Sequence, residues 1–293
     1  MLFKGGRVRH FIFWTAVVVI FCGAVCAFGQ EDPSGSVQIK GSDTMVNLGQ
    51  MWAETFSKKH PGVSVAVTGG GSGTGFSSLI GGTCDIAQAS RTIKAKEVAQ
   101  AQKNGFTPYE VTVALDGLVV VVHPDNPVSR LTLDQVADIF IGKITNWSQV
   151  GGLDMPIVIL SREVNSGTHI YFKEHVLRKG QEKSPEEFSP AALLMPSSYA
   201  IAEEIAQNIN AIGYYGIGYI SSSQKALAIA PDASSAYVVP NNENVKKGIY
   251  AISRPLLMYT QGEPRGVVKV FFDFVLSPEG QSLVKEADFV PIG

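Results

Sequence analysis

The chain has 293 residues, 45% of them hydrophobic and 17% charged, with 24 Lys and Arg against 26 Asp and Glu. That length exceeds an ordinary domain of roughly 100–200 residues, so two lobes are expected, and the composition excludes disorder and collagen-like repeats. The acidic balance argues against nucleic acid and anionic membrane surfaces as partners, so a bound anion must be held by local dipoles and not by overall charge.

At the amino terminus Lys4, Arg7 and Arg9 precede the apolar run Phe11–Phe21, and Gly23, Ala24 and Ala27 follow it. Basic, apolar and small-residue regions in that order predict a signal peptide over 1–29. Apolar character persists to Phe28, so an uncleaved anchor is the rival reading; a lipid on Cys22 or Cys26 lacks the small residues expected before it. Either way the body is exported, to the periplasm or the outer face of the cytoplasmic membrane. Without this segment the 24 basic residues lose Lys4, Arg7 and Arg9, leaving 21 against 26 acidic ones, a net charge of about −5. Cys84 is then the one remaining cysteine, and no internal disulfide is expected.

Along the body, Val37–Lys40 has strand character, and Met45, Leu48, Trp52 and Phe56 recur at three and four as on an amphipathic helix that stops at Pro61-Gly62. Val63–Val67 alternates as a strand before the glycine-rich Gly69–Gly75; Ile86-Ala87 is a short strand and Lys94–Lys103 a helix. Val111–Leu115 and Leu118–His123 are apolar, β-branched runs with Asp116-Gly117 between them. Further on come helices over Leu133–Phe140, Ile170–Arg178 and Ser197–Ile209, a strand at Ile157–Leu160, and the Gly/Tyr alternation of Gly213–Ile220. Val238-Val239 and Tyr250–Ile252 read as strands, and helices close the chain over Val267–Leu276 and Pro278–Lys285. Strand and helix alternating in this way produce an α/β fold with a mixed or parallel sheet. Leu118–Val122 is the expected first crossing between lobes and Gly248–Tyr259 the expected return. Lobe I is then 30–118 plus 250–293, and lobe II is 119–249.

Four Gly/Ser/Thr clusters stand at strand-to-helix junctions: Gly41–Thr44, Gly69–Gly75, Ala89–Thr92 and Ser161–Thr168. There the first N–H groups of a helix lack internal partners and the dipole leaves partial positive charge, so an oxyanion is stabilised without lysine. Ser and Thr cap helices everywhere; four such clusters in one chain, one of them flanked by Arg162, favour an anion site. Gly69–Gly75 lacks the ending of a P-loop and the spacing of a dinucleotide fingerprint, and no Gly-x-Ser-x-Gly elbow is present. His169 and His175 are six apart, on different helix faces, and read as packed or solvated residues and not as metal ligands.

Ile39–Met45, Gly69–Gly75, Asp85–Arg91, Ala114–Val128, Leu131–Trp147, Ser161–Thr168 and Ser253–Thr260 form an ordered set of motifs. Together they resemble the phosphate-binding protein of bacterial phosphate ABC transporters, most closely its shorter branch, from about residue 37 to the end. The resemblance implies a two-lobed periplasmic-binding-protein fold of type II, with two crossing strands as hinge, closing over dehydrated inorganic phosphate and delivering it to the membrane permease. It places Arg162, Ser166, Gly167 and Thr168 on the ligand, with Ser72 from the Gly-rich turn and Ser42, Thr44 and Met45 from the first loop; Ser90 and Arg91 belong to the third junction cluster. The chain departs from the pattern at Arg91, where the longer branch has the aspartate that accepts the phosphate proton. That acceptor is then Asp116 or Asp43, with Asp116 slightly favoured. Val164 stands where an acid often pairs with the arginine, leaving Glu163 as the substitute. A carboxylate facing the ligand accepts the proton of hydrogen phosphate and meets only lone pairs on sulfate, so it sets selectivity; without it sulfate, molybdate or tungstate is the alternative ligand. No metal, no organic cofactor and a monomer are expected. A phosphate sensor and an exported phosphatase are the readings from other classes, the latter with no evident nucleophile–base pair.

Overall fold

Alternation makes the first strand: Val37 and Ile39 are fully buried while Ser36 and Gln38 face outward, so β1 (Gly35–Gly41) lays one face on a core. The computed structural model of the protein describes residues 1–3, 5 and 33–292. The segment expected to be a signal peptide or anchor lies outside those residues apart from 1–3 and 5.

Leu48, Trp52 and Phe56 form the buried stripe of α1 (Val46–Lys59), which ends with Lys58 and Lys59 at the negative pole of its dipole, just before Pro61. β2 (Val63–Thr68) returns parallel to β1, α2 (Ser72–Ile80) follows, and β3 (Ile86–Ala89) lies parallel to β1 on its other side. After α3 (Ala95–Lys103) comes β4 (Pro108–Val122), a single strand of 15 residues. The two runs expected around Asp116-Gly117 are thus one element. No turn forms there because the Asp116 carboxylate is buried and paired, with Arg254 and the Ile217 N–H as donors.

The middle of the chain adds β5 (Arg130–Thr132), α4 (Leu133–Phe140) and β6 (Val158–Arg162), then α5 (Gly167–Phe172), which runs on into a π turn over Lys173–Leu177. Next come β7 (Leu193–Met195), α6 (Ser198–Gln207), β8 (Ala211–Gly216) with a 3-10 turn at Ile217–Tyr219, β9 (Lys225–Ala226), β10 (Ala228–Ala230) and α7 (Asn242–Lys246). The last elements are β11 (Ser253–Gln261), α8 (Gly266–Val275) and α9 (Pro278–Glu286). Val238-Val239 and Tyr250–Ile252, expected as strands, are not laddered. Val238 makes one isolated bridge to Ile229, and Tyr250 and Ile252 are packed into the core with the Tyr250 hydroxyl donating to the Leu118 carbonyl at 3.0 Å.

The large sheet has the order β2-β1-β3-β11-β4-β8-β6-β7, with β9 also on β4. β11 runs antiparallel between β3 and β4, pairing β4 as far as Gly117; from Leu118 onward β4 pairs β8 instead. One strand is therefore shared by both halves of the sheet, and Gly117-Leu118 is the changeover. The all-apolar Leu118–Val122 run is explained by packing on both faces. Leu118, Val120 and Val122 face Phe140, Phe172 and Tyr214, whereas Val119 and Val121 face Leu160, Ile201 and Tyr215. Each of these fully buried side chains contributes roughly 1.5–3 kcal/mol relative to exposure. The carboxy-terminal helices pack back on α1: the Trp52 indole donates to the Gly280 carbonyl at 2.8 Å, and Phe271 meets the Phe56 ring edge-on at 5.2 Å.

His169 on α5 is packed, 4.4 Å from the Phe188 ring, with Nδ1 3.2 Å from the Ser161 hydroxyl, which in turn contacts the Tyr214 hydroxyl at 2.8 Å. Burial, and then the neighbouring Lys173, pull its imidazole down to about 4. The unfolded chain takes up this proton as pH falls through about 6.5, its ordinary value, while the native protein refuses it until about 4. The unfolded state binds more protons across that window, so acid destabilises the fold. Between pH 6.5 and 4 this one group is expected to remove on the order of 2–3 kcal/mol. Urea denaturation of the wild type and of His169→Gln checks this: the stability difference between the two proteins should shrink as pH falls across the window.

Candidate functional site

The junctions that follow β1, β2, β3 and β6 converge. Gly41, with φ of +140°, ends β1 so close to β3 that a Cβ there would stand 2.1 Å from the Gln88 carbonyl oxygen. This close approach carries the next residues to the end of β3, where the Ser42 amide donates to the Gln88 carbonyl at 2.8 Å and the Ser42 hydroxyl donates to the Ser90 hydroxyl at 2.9 Å. Ser72, the first residue of α2, accepts from the Ser90 amide at 3.0 Å, and their hydroxyls are 3.4 Å apart. From the other half, the Thr168 hydroxyl at the start of α5 lies 2.9 Å from that of Thr44 and 3.4 Å from that of Ser90. Ser42, Thr44, Ser72, Ser90 and Thr168 are each no more than 1% exposed.

Gly167 makes this convergence possible. A Cβ there would fall 2.2 Å from the Ser72 hydroxyl and 2.7 Å from that of Ser90. Gly167 and Thr168 open α5, so their amides are among those a helix does not use itself. Ser166 caps that helix by accepting from the His169 amide at 3.3 Å. Met45 stands apart: its amide donates to the Ser42 carbonyl at 3.0 Å within a 3-10 turn over Asp43–Met45, and its side chain is in the core.

Arg162 is 1% exposed and has a partner on each of its three nitrogens. It donates to the Met195 carbonyl at 3.3 Å, the Ser198 hydroxyl at 3.1 Å, the Pro196 carbonyl at 3.0 Å and Asp43 Oδ2 at 2.7 Å. The acid that pairs with it is therefore Asp43 from the first loop and not Glu163, which is exposed. Sequence adjacency misleads here because β6 ends at Arg162 and the chain turns out to solvent at Glu163. The other Asp43 oxygen accepts from the Gly70 amide at 2.9 Å, and the Tyr219 hydroxyl donates to the Asp43 carbonyl at 2.6 Å. Asn165 continues the seam, its side-chain amide donating to the Gly70 carbonyl at 2.9 Å and its own carbonyl accepting from the Gly73 amide at 3.0 Å.

Two expected site residues are committed elsewhere. The Arg91 guanidinium forms a fork on Glu97, at 2.7 and 2.8 Å, and covers the Phe76 ring at 4.7 Å, so it is not brought among the hydroxyls. The Asp116 carboxylate is fully buried against Arg254: Oδ2 accepts from Nε at 2.9 Å and Nη2 at 2.7 Å, while Oδ1 accepts from the Ile217 amide at 3.0 Å. Burial pushes this carboxyl up from the ordinary aspartate range, and Arg254 opposes that push. Arg254 itself was missed in the sequence, although a lone arginine inside the apolar run Ile252–Leu257 requires a buried carboxylate partner. Its Nη1 donates to the Ser90 carbonyl at 3.0 Å and its Nη2 lies 3.5 Å from the Thr44 hydroxyl.

A family model described as a PBP superfamily domain matches residues 27–279. The phosphate-binding protein PstS of Pseudomonas aeruginosa is 34% identical over 276 residues, covering 88% of this chain and 84% of that protein. PstS of Bacillus subtilis is 33% identical over 267 residues, covering 91% and 84%. Among solved structures, a Clostridium perfringens protein with bound phosphate, a candidate substrate-binding protein of a phosphate ABC transporter, superposes with a TM-score of 0.79 at 36% identity, over 88% of this chain and all of that one. An ABC-type phosphate transport receptor from Vibrio cholerae gives a TM-score of 0.70 at 31% identity, again over 88% and 100%.

A methyl group at Gly167 has no room beside the Ser72 and Ser90 hydroxyls. Gly167→Ala is expected to destabilise the protein by about 1–3 kcal/mol through overpacking, read as a lower denaturant midpoint with an unchanged slope.

Proposed function

Because the chain belongs to the periplasmic-binding-protein superfamily, and within it to the phosphate-binding proteins of bacterial phosphate ABC transporters, we propose that it captures inorganic phosphate among these buried hydroxyls and delivers it to a membrane permease. The observation that carries the reading is the meeting of Ser90 and Thr44 with Thr168 across the two halves of the sheet, with Ser42 and Ser72 joined to Ser90. Hydroxyls can turn their hydrogens toward an oxyanion, and the free amides at the start of α5 add donors at no cost in net charge. The relevant lobes are 30–118 with 250–293, and 119–249, hinged on β4 and β11. Ligand held from both sides favours the closed arrangement, and that form is the one a permease need recognise. Export follows from the basic and apolar amino-terminal pattern; among the described residues no helix is long and apolar enough to cross a membrane. No catalytic step is required of any residue.

Asp43 is the better proton acceptor. Three N–H groups already occupy Asp116, whereas Asp43 has one donor on each oxygen and sits one residue from Thr44. A carboxylate there accepts the proton of hydrogen phosphate and repels sulfate. Thermal-shift screening of the exported body against phosphate, sulfate, molybdate, tungstate and arsenate tests the ligand, since the bound ion raises stability by mass action. Phosphate and its isostere arsenate are expected to shift the midpoint most; a larger shift with sulfate would overturn the phosphate reading. Asp43→Asn is expected to narrow the gap between phosphate and sulfate in calorimetry. Arg162→Ala is expected to weaken phosphate by about 2–4 kcal/mol, because it leaves the half-buried Asp43 carboxylate without its partner at the site. Unchanged affinity would remove Arg162 from the binding machinery.

A further inference from the structure

Arg254 has no role in the reading above, yet it reaches the first loop, the turn after β3 and α5, three of the segments that build the hydroxyl cluster. From β11 its Nη1 holds the Ser90 carbonyl at 3.0 Å, fixing the turn whose amide and hydroxyl both engage Ser72. Its Nε and Nη2 grip Asp116 on β4, and Asp116 in turn accepts from the Ile217 amide just past β8. Its Nη2 also lies 3.5 Å from the Thr44 hydroxyl. Tyr171, from the other half, lies over the guanidinium at 5.6 Å while its hydroxyl donates to the Ser253 carbonyl at 2.5 Å. Both members of the ion pair are sealed from water, with side chains 0% exposed.

The chemistry of these contacts is directional. A guanidinium has only donors, so a hydroxyl beside it must accept, and its single hydrogen then points elsewhere. For Thr44 the other hydroxyl partner is Thr168 at 2.9 Å, where either oxygen can donate, so the Thr44 hydrogen is free to turn from Thr168 to an entering anion. Asp116 would otherwise present a bare carboxylate behind the cluster and repel an oxyanion. With two donors from Arg254 and one from Ile217 it is a neutralised anchor instead. We propose that Arg254 is the positioning residue of this anion site, aiming the Thr44 hydroxyl and the Ser90 turn at the ligand, and that Asp116 serves to hold Arg254 and not to accept the ligand's proton. The proposal rests on the receptor reading given above.

Arg254→Gln alone strands a buried carboxylate and is expected to lose stability, so the test is carried by the double variant Arg254→Gln/Asp116→Asn, which has no buried charge. Wild type, the double variant, Arg254→Lys and Asp116→Asn are compared by thermal midpoint without ligand and by calorimetric titration with inorganic phosphate and with sulfate. The double variant is expected to recover the wild-type midpoint to within a few degrees while binding phosphate roughly ten- to a hundredfold more weakly. Arg254→Lys should also bind weakly, because an ammonium cannot span Asp116 and the Ser90 carbonyl together. Asp116→Asn should keep the wild-type ratio of phosphate to sulfate affinity. A double variant that regains wild-type phosphate affinity reduces the pair to a structural element and overturns the proposal, as does a collapse of the ratio in Asp116→Asn. A wild type that takes sulfate in place of phosphate overturns the phosphate reading alone, since the same comparison then runs with sulfate. If it takes neither, both fall.

Discussion

A hydroxyl cut off from water must find its partner inside the protein, and the organisation of this molecule follows from that requirement. Ser42, Thr44, Ser72, Ser90 and Thr168 lie where the ends of β1, β3 and β6 approach the starts of α2 and α5. None of these side chains carries charge, so their mutual contacts are worth only about 1 kcal/mol each and are readily exchanged for stronger bonds to an anion. A cluster built this way is stable when it closes on itself and more stable when it closes on an ion. The acidic body can therefore bind a negatively charged ligand without a field that favours it at long range.

The guanidinium groups frame that cluster in different ways. Arg162 is held by two carbonyls and a hydroxyl of its own half, and it reaches across to Asp43. Arg254 sits beneath the cluster with Asp116, where the shared strand changes partners. Arg91, the arginine nearest Ser90 in sequence, is instead consumed by Glu97 and Phe76. In each case a carboxylate from a different segment decides what the arginine can do, because a buried guanidinium without one is untenable.

Much of the fold was legible in the residues. The helical stripe of Leu48, Trp52 and Phe56, the alternation of Val63–Val67, and the doubly apolar Leu118–Val122 each appear where periodicity puts them. The short strands β5, β7, β9 and β10 were not, since two or three residues carry no period and are defined by their neighbours alone. The serines and threonines of the site were legible as junction residues. The pairings of their charged companions were not: Asp43 with Arg162 and Asp116 with Arg254 join residues 119 and 138 positions apart. Adjacent candidates such as Glu163 are a poor guide where a buried strand ends and the next residue turns to solvent.

The position of β11 between β3 and β4 has a consequence for how the chain acquires its structure. The amino-terminal half cannot complete its sheet until Ser253–Gln261 has been made and brought back past everything inserted after Val122. Contacts closing so long a loop form late, which slows folding and leaves the growing polypeptide open for longer. The wiring of the sheet thus doubles as a timer, holding the first half open until the returning strand arrives.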